Sequence, residues 1–231
     1  MNWLVPMIVA CIPLLAAAGP SLPAELQAEL EKPWPKNRAI HLVFHGHSVP
    51  AGYHKTPEVK PFDSYPLLTL GRIKENHPHA VINAIVTAIG GETSVQGAAR
   101  FERDVLSLRP DVIFIDYALN DRRVAVAEVE AAWRAMARAA KAKNVPVVFL
   151  TPTGASGVRI GAADEALEIR AAIIRKVAAE EGLPVADVWA AWKAALAGGV
   201  TQEALLSQVN HPNRQGHELA AGVIAGMFGP E

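Results

Sequence analysis

The stretch Ile40-His41-Leu42-Val43-Phe44-His45-Gly46-His47-Ser48-Val49-Pro50 joins an apolar run to a glycine turn and a serine. Ile40–Phe44 predicts a buried strand, and Gly46-His47-Ser48 predicts the turn that leaves it. Ligands of an open α/β sheet bind beyond the carboxyl ends of its strands, so Ser48 is a candidate nucleophile. The alternative is that Ser48 only caps the next helix, as serine often does.

The same pattern, a short apolar run followed by a longer stretch of helical period, recurs along the chain. The predicted strands are Ile40–Phe44, Val81–Val86, Val112–Ile115, Val145–Leu150 and Pro184–Ala186. The predicted helices are Ser64–Glu75, Ser94–Leu106, Val124–Lys143, Ala163–Glu181 and Arg214–Phe228. Alternating strands and helices indicate a parallel sheet covered on both faces. We therefore predict an α/β fold, a three-layer α/β/α sandwich with about five parallel strands in flavodoxin-like order, because a barrel would need eight units.

The N-terminal segment predicts export. Residues 3–18 form an uncharged apolar run that ends in Ala16-Ala17-Ala18-Gly19, which favours a signal peptide over residues 1–18 and a periplasmic or secreted protein. An uncleaved anchor is the alternative, although the run is short for a spanning helix. Residues 19–38 carry three prolines and predict a linker with a short helix at Ala24–Glu31. Residues 39–231 would then form the domain.

Composition excludes several functions. The 231-residue chain has a formal net charge of −1 and no block of like charges, so neither nucleic acid nor an anionic membrane is an implied partner. Cys11 is the only cysteine, which rules out an internal disulfide and cysteine-based metal clusters. His41, His45 and His47 alternate, as metal ligands sometimes do. Because a parallel strand is covered on both faces, this is the lesser alternative, and we predict neither metal nor cofactor.

Three later segments place polar groups near the ends of predicted elements. Gly91, in a paired-glycine turn after the second strand, lets backbone N–H groups approach a ligand. Asn120, after the third strand, offers an amide donor, and Asp121 is predicted to cap the helix that follows. His211 precedes Pro212 and so lies in extended or turn backbone, able to reach Ser48. Taken singly, each segment is weak evidence for a site, because a plain glycine turn, a helix cap or a surface histidine gives the same pattern.

In their order along the chain, these segments resemble the blocks of the SGNH (GDSL-type) hydrolase superfamily from about Ile40 to Phe228. The first block is Phe44-His45-Gly46-His47-Ser48, with His47 where aspartate is usual, and the second is Gly91-Glu92-Thr93-Ser94. The third is Tyr117-Ala118-Leu119-Asn120-Asp121, where Gly-x-Asn-Asp is usual. The fifth is His211-Pro212-Asn213, where Asp-x-x-His is usual.

The resemblance implies a serine esterase and a role for each residue. Ser48 would be the nucleophile, and its own N–H, the Gly91 N–H and the Asn120 side chain would be the oxyanion donors. His211 would act as general base and then as general acid. The implied partner is a small-molecule or carbohydrate ester, with no stable membrane partner. Export and the lack of a long apolar lid segment favour a small acyl group, such as the acetyl of an O-acetylated carbohydrate.

One departure from the family pattern concerns the acid of the triad. The position three residues before His211 holds Gln208, which can accept a hydrogen bond from imidazole but cannot stabilise imidazolium as a carboxylate does. The comparable change in a serine protease costs about 10⁴ in rate. The chain therefore uses a Ser-His dyad with Gln208 as a possible His-orienting group, borrows another acceptor, or is slow. Asp187 is a possible substitute, although a helix cap before Trp189 is its simpler role.

Gln208 also motivates an alternative function and a test. The alternative is a catalytically weakened protein that binds acylated glycans without cleaving them. The test assumes that Gln208 lies beside the His211 imidazole, where the family's acid is placed. Gln208→Asp should then restore a charge-assisted hydrogen bond to the imidazolium, and kcat should rise at least several-fold.

Overall fold

The computed structural model describes residues 22–229, and a five-stranded parallel sheet lies at its centre. The strands are β1 (Ala39–Gly46), β2 (Val81–Val86), β3 (Val112–Asp116), β4 (Val147–Leu150) and β5 (Val185–Ala186). They pair in the order β2-β1-β3-β4-β5, which is the flavodoxin-like order, so the predicted fold is confirmed. The predicted signal peptide, residues 1–18, lies outside the described residues.

Nine α-helices occur within residues 22–229. They are α1 (Ala24–Leu30), α2 (Ser48–Ala51), α3 (Tyr65–Asn76), α4 (Ser94–Asp104), α5 (Ala118–Asp121), α6 (Val126–Lys141), α7 (Ala166–Glu181), α8 (Val188–Ala197) and α9 (Arg214–Ala225). Within this part of the chain, none is long and apolar enough to cross a bilayer. The predicted helices all form. The predicted set did not include α2, α5 and α8, nor an antiparallel pair of strands, β6 (Leu206–Gln208) and β7 (His211–Pro212).

The sheet separates two hydrophobic layers because successive strand residues face opposite sides. In β1, Leu42 and Phe44 pack mainly with α1, α3, α8 and α9, whereas Val43 packs with α4, α6 and α7. Fully buried tryptophans fill both layers, Trp189 in the first and Trp133 in the second. With both faces covered, the carboxyl edge of the sheet and its loops form the part of the fold where polar side chains converge.

The segment predicted as a linker packs on the domain over residues 22–30. Leu22, Leu26 and Leu30 are buried in the first layer, and Gln27 Nε2 donates to the Met227 carbonyl over 3.0 Å. The short helix is confirmed as α1. Its leucines recur every four residues, which is the spacing of one helix face, and this stripe outweighs the prolines that suggested a free linker.

Candidate active site

The turn that carries Ser48 is fixed by a close approach of β1 to β3. A Cβ at Gly46 would lie 2.5 Å from the Asp116 carbonyl oxygen, so only glycine fits there. His47 follows in extended backbone and caps α2, since its Nδ1 accepts the Val49 N–H over 3.2 Å. Ser48 therefore stands at the first position of α2, at the carboxyl edge of the sheet, and only 6% of it is exposed.

Ser48 meets the predicted histidine. His211 Nε2 lies 3.0 Å from Ser48 Oγ, although 163 residues separate the two in sequence. His211 begins β7, in the short hairpin that precedes α9, and is 6% exposed. The two residues whose pairing the block order implied are thus in hydrogen-bond contact.

The other nitrogen of this imidazole contacts a backbone carbonyl. His211 Nδ1 lies 3.0 Å from the carbonyl oxygen of His54. A carbonyl oxygen only accepts, so Nδ1 carries the proton of the neutral ring. Nε2 is consequently free to accept the hydroxyl proton of Ser48. The acceptor that the sequence left open is this carbonyl.

His54 belongs to a closed loop, residues 52–60, which we call the His54 loop. Gly52 begins it at φ 87°, in the left-handed region that favours glycine. Lys60 N donates to the Gly52 carbonyl over 2.7 Å, and His54 N donates to the Glu58 carbonyl over 3.0 Å. The loop follows α2 directly, so one short segment supplies both the nucleophile and the acceptor for its base.

Gln208 does not contact the imidazole. Its Oε1 accepts the Thr56 N–H over 2.8 Å, and its Nε2 donates to Thr56 Oγ1 over 3.1 Å. The prediction that Gln208 takes the place of the acid beside His211 is therefore wrong. Gln208 and His211 are register partners in the hairpin, but the His211 Nδ1–H that would donate to the Gln208 amide oxygen already donates to the His54 carbonyl.

Two aspartates have structural partners. Asp187 caps α8, accepting the Ala190 N–H over 3.1 Å, and pairs with Arg175, as its simpler role predicted. Asp121 accepts the Ser94 N–H over 2.8 Å and the Trp133 indole N–H over 2.9 Å. It therefore binds the first residue of α4 and does not cap the helix that follows it, which corrects that prediction. Burial raises the pKa of the Asp121 carboxyl.

The two other predicted oxyanion donors lie on neighbouring segments, Asn120 on α5 and Gly91 in the loop between β2 and α4. Asn120 is 8% exposed, and its Nδ2 donates to the Glu92 carbonyl over 2.8 Å, which leaves one N–H of the amide for a ligand. Gly91 precedes Glu92 and has φ 83°, with open space where a Cβ would be. Arg100 Nε holds the Glu92 carboxylate over 2.9 Å. One residue, Glu92, thereby ties the glycine loop to α5.

Tyr53 connects the glycine loop to the Ser-His pair. A Cβ at Gly90 would lie 3.1 Å from the Tyr53 ring, and that ring lies 5.8 Å from the His211 ring, centroid to centroid. Tyr53 and His54 were not predicted as site residues. The only available signal was their position, five and six residues after Ser48, in a segment with no motif.

A buried carboxylate lies behind the nucleophile turn. His47 Nε2 is 3.4 Å from Asp116 Oδ1, slightly beyond an ordinary hydrogen bond of about 2.9 Å. Because Nδ1 accepts the Val49 N–H, the neutral ring carries its proton on Nε2, towards this carboxylate. Tyr65 O–H donates to Asp116 Oδ2 over 3.1 Å, and burial together with Asp116 raises the pKa of Tyr65 well above its usual range. The histidine that stands where the family usually has aspartate thus faces a buried carboxylate from β3, although His47 Nε2 and Asp116 Oδ1 form no hydrogen bond with each other.

The three alternating histidines of β1 and its turn have separate partners. His41 Nδ1 lies 3.0 Å from the Leu108 carbonyl, and His45 contacts Thr87 Oγ1 over 2.9 Å and the Tyr117 hydroxyl over 3.0 Å. Burial and Arg100 lower the pKa of His45 to about 4. Over residues 22–229, no cluster of three or more His, Cys, Asp or Glu side chains could hold a metal ion. Separate hydrogen bonds to neighbouring groups thus engage the alternating histidines.

The protonation state of His211 depends on its burial. Burial lowers the pKa of His211, while the bond to the His54 carbonyl opposes the shift. No carboxylate is hydrogen-bonded to His211 in the described part of the chain. The imidazole is therefore neutral, and competent to accept a proton, at a lower pH than a free histidine.

The model of the GDSL-like Lipase/Acylhydrolase family matches residues 44–219. No match was found among curated protein sequences.

Among solved structures, an acetylxylan esterase from Geobacillus stearothermophilus superposes with a TM-score of 0.73 at 22% identity, over 83% of this chain and 95% of that one. Two catalytic mutants of that esterase replace a histidine and an aspartate three residues before it, at the same identity and TM-score. A two-domain esterase active on acetylated mannans superposes with a TM-score of 0.70 at 22% identity, over 88% of this chain and 51% of that one. At these identities the likeness establishes the shared fold. Because the family model covers most of the chain, the protein belongs to the GDSL-like lipase/acylhydrolase family and is, as the resemblance implied, an SGNH-type hydrolase of ester bonds.

Proposed function

We propose that the chain removes small acyl groups, acetyl foremost, from carbohydrate esters through an acyl-enzyme on Ser48. The observation that carries the proposal is the Ser48 Oγ–His211 Nε2 contact of 3.0 Å, made by an imidazole whose other nitrogen is held by a carbonyl. This arrangement supplies a nucleophile, a base of defined tautomer and an orienting group.

In the first half of the reaction, Ser48 Oγ attacks the ester carbonyl carbon and its proton passes to His211 Nε2. The carbonyl oxygen of the ester becomes an oxyanion, for which the Ser48 N–H, the Gly91 N–H and the free N–H of Asn120 are the donors. The intermediate collapses when the bond to the alcohol oxygen breaks. His211 gives its proton to that oxygen, the alcohol leaves, and the acyl group stays on Ser48.

In the second half, water attacks the acyl carbon and gives a proton to His211. Collapse of this intermediate breaks the bond to Ser48 Oγ, which takes the proton back, and the carboxylic acid is released. In both halves the imidazolium is stabilised by the dipole of the His54 carbonyl instead of a full negative charge. A neutral acceptor gives a weaker hydrogen bond than a carboxylate does, so we expect slower turnover than in a triad enzyme.

The substrate class rests on two considerations. The proteins of similar fold are an acetylxylan esterase, which also acts on acetyl-xylooligosaccharides, and an esterase active on acetylated mannans. The sequence also offers no long apolar segment for a lid over a long acyl chain. Both favour a short acyl group on a sugar hydroxyl.

Turnover of p-nitrophenyl acetate, butyrate and octanoate, and of acetylated xylan and mannan oligosaccharides, tests the proposal. We expect the acetate to react fastest and Ser48→Ala to abolish turnover. Faster hydrolysis of the octanoate would contradict the acetyl preference.

A fluorophosphonate probe, which labels an active serine covalently, separates the enzyme from a protein that only binds glycans. Wild type should be labelled and Ser48→Ala should not, whereas no labelling between about pH 6 and 9 would favour binding alone.

We further propose that the enzyme acts after export, on the strength of residues 1–18. Mass spectrometry of the protein recovered from outside the cytoplasm should find an N-terminus at Gly19. A full-length chain retained in the cytoplasm would contradict export.

A further inference from the structure

The base of the proposed reaction relies on a backbone oxygen, and a backbone oxygen is only as well placed as its loop. The His54 carbonyl lies on the His54 loop, whose internal contacts include the Lys60–Gly52 and His54–Glu58 hydrogen bonds. These bonds close the loop on itself but do not connect it to the hairpin that carries His211. A separate connection is needed to keep the carbonyl and the imidazole in register.

Gln208 supplies a connection of that kind. The two hydrogen bonds from its side chain join the hairpin to Thr56, two residues beyond His54. One bond goes to the backbone N–H of Thr56 and the other to its hydroxyl. Both ends of the amide are engaged, so the side chain has a single orientation. Glutamine is also long enough to reach across from the residue that pairs with His211 in the hairpin.

The hairpin is held on a second side as well. Ser156 N, in the loop after β4, donates to the Val209 carbonyl over 2.7 Å. Val209 follows Gln208 directly, so its backbone is already fixed at that point. The other partner is the His54 loop, whose residues 55–59 are exposed and so have few packing contacts to fix their position. Holding that loop is what the Gln208 side chain can contribute.

We infer that Gln208 and Thr56 form a clamp that holds the His54 carbonyl on the imidazole of His211, which makes both of them positioning residues; this inference rests on the proposed function. The residue at the place of the family's usual acid thus serves the base indirectly. It positions an acceptor instead of being one.

Substitutions at Gln208 separate a clamp from an acid substitute. Gln208→Ala removes both hydrogen bonds, and we expect kcat to fall by about tenfold to a hundredfold, because small displacements of catalytic groups have effects of that size. Gln208→Glu keeps an acceptor for the Thr56 N–H and for the rotatable Thr56 hydroxyl, so it should stay near wild type. Gln208→Asp is one methylene too short for Thr56 and should behave like Gln208→Ala. A several-fold increase in kcat for Gln208→Asp would overturn the clamp.

Substitutions at Thr56 provide the matched pair. Thr56→Ser keeps the hydroxyl and should retain activity, whereas Thr56→Val loses one of the two bonds and should lower kcat less than Gln208→Ala does. KM should change little in all of them, because the lost contact does not touch substrate. Lys55→Ala, an exposed position on the same loop, is the control and should match wild type. Equal losses in Thr56→Ser and Thr56→Val would contradict a role for the hydroxyl.

A measurement independent of turnover keeps the clamp testable if the esterase proposal fails. The bond from Nδ1–H to the His54 carbonyl favours protonated His211. Loosening it in Gln208→Ala should shift the protonation midpoint of His211, followed by NMR of the labelled imidazole, to lower pH. Thr56→Ser and Lys55→Ala should leave the midpoint in place. If Gln208→Ala does not move it, the clamp is refuted, whereas an inactive and unlabelled wild type would refute only the proposed function.

Discussion

His47 Nε2 and Asp116 Oδ1 face each other at 3.4 Å where β1 and β3 end, with both side chains almost completely buried. The pair combines a neutral ring that caps the nucleophile helix with a carboxylate that also accepts from Tyr65. Aspartate at position 47, which is usual in the family, would here bring two carboxylates together in a buried site. The histidine and the Asp116 carboxylate are therefore matched to each other.

This match predicts the effect of restoring the family residue. We expect His47→Asp to destabilise the fold by about 3–5 kcal/mol, the range for a buried charge left uncompensated, and to lower the yield of active protein. Thermal unfolding measures the loss. His47→Asn, which can cap Val49 and donate to Asp116, is the milder control. Combining His47→Asp with Asp116→Asn should recover much of the stability; a double variant no better than His47→Asp alone would refute the pairing.

The pH dependence of turnover follows from the burial of His211. Its pKa is lowered, and the base must be neutral to act, so activity should persist as the pH falls below the ordinary histidine value of about 6.5. The acidic limb of kcat/KM for p-nitrophenyl acetate reports this pKa in the free enzyme. If the acidic limb gives a pKa above about 6.5, a negative charge acts on the His211 imidazole, which would contradict this prediction.

Stability should also depend on pH, through two buried histidines outside the catalytic pair. Burial lowers the pKa of His45 to about 4 and that of His217 to about 3. Below the unfolded value of about 6.5 the unfolded chain binds protons that the native state does not, so stability falls with the pH down to the folded pKa values. Between about pH 7 and 5, each of these histidines should lower the free energy of unfolding by about 2 kcal/mol.

The histidine contribution can be isolated with one substitution. His217 Nδ1 accepts the Tyr65 N–H over 3.2 Å, and asparagine can also accept there without titrating. In denaturant unfolding, the free energy of unfolding of His217→Asn should fall less between pH 7 and 5 than that of wild type does. An identical drop in both proteins would mean that His217 does not remain neutral in the fold.

Asn120 is predicted to act mainly on the transition state. Asn120→Ala should lower kcat by about 10²–10³, the usual value of one oxyanion donor, with little change in KM. The same change removes the bond to the backbone carbonyl of Glu92, which helps to hold the glycine loop. Glu92→Gln keeps that carbonyl and leaves the Asn120 donor in place but loosens the Arg100 hold on the same loop, so it is the control for loop position. If it lowers kcat as much as Asn120→Ala does, Asn120 acts only by shaping the loop.

The sequence predicted the features that repeat or that depend on residue type. Apolar runs located the five strands, and the order of Ser48, Gly91, Asn120 and His211 located the carboxyl edge. The orienting group of His211 was beyond prediction because every residue has a carbonyl, so the sequence carries no mark of which one is used. The partners of Gln208 and Asp121 are set by contacts between segments distant in sequence, 152 residues apart for Gln208 and Thr56 and 27 for Asp121 and Ser94.

The His54 carbonyl also alters how mutation and sequence surveys would treat this chain. A side-chain acid can be lost by a single codon change, but no substitution at position 54 deletes a main-chain oxygen, so the identity of that residue is free to drift. A scan that replaces each side chain by alanine would pass over the acceptor without a signal. A survey that requires a carboxylate three residues before the histidine would discard the chain altogether, although its serine and histidine stand in contact.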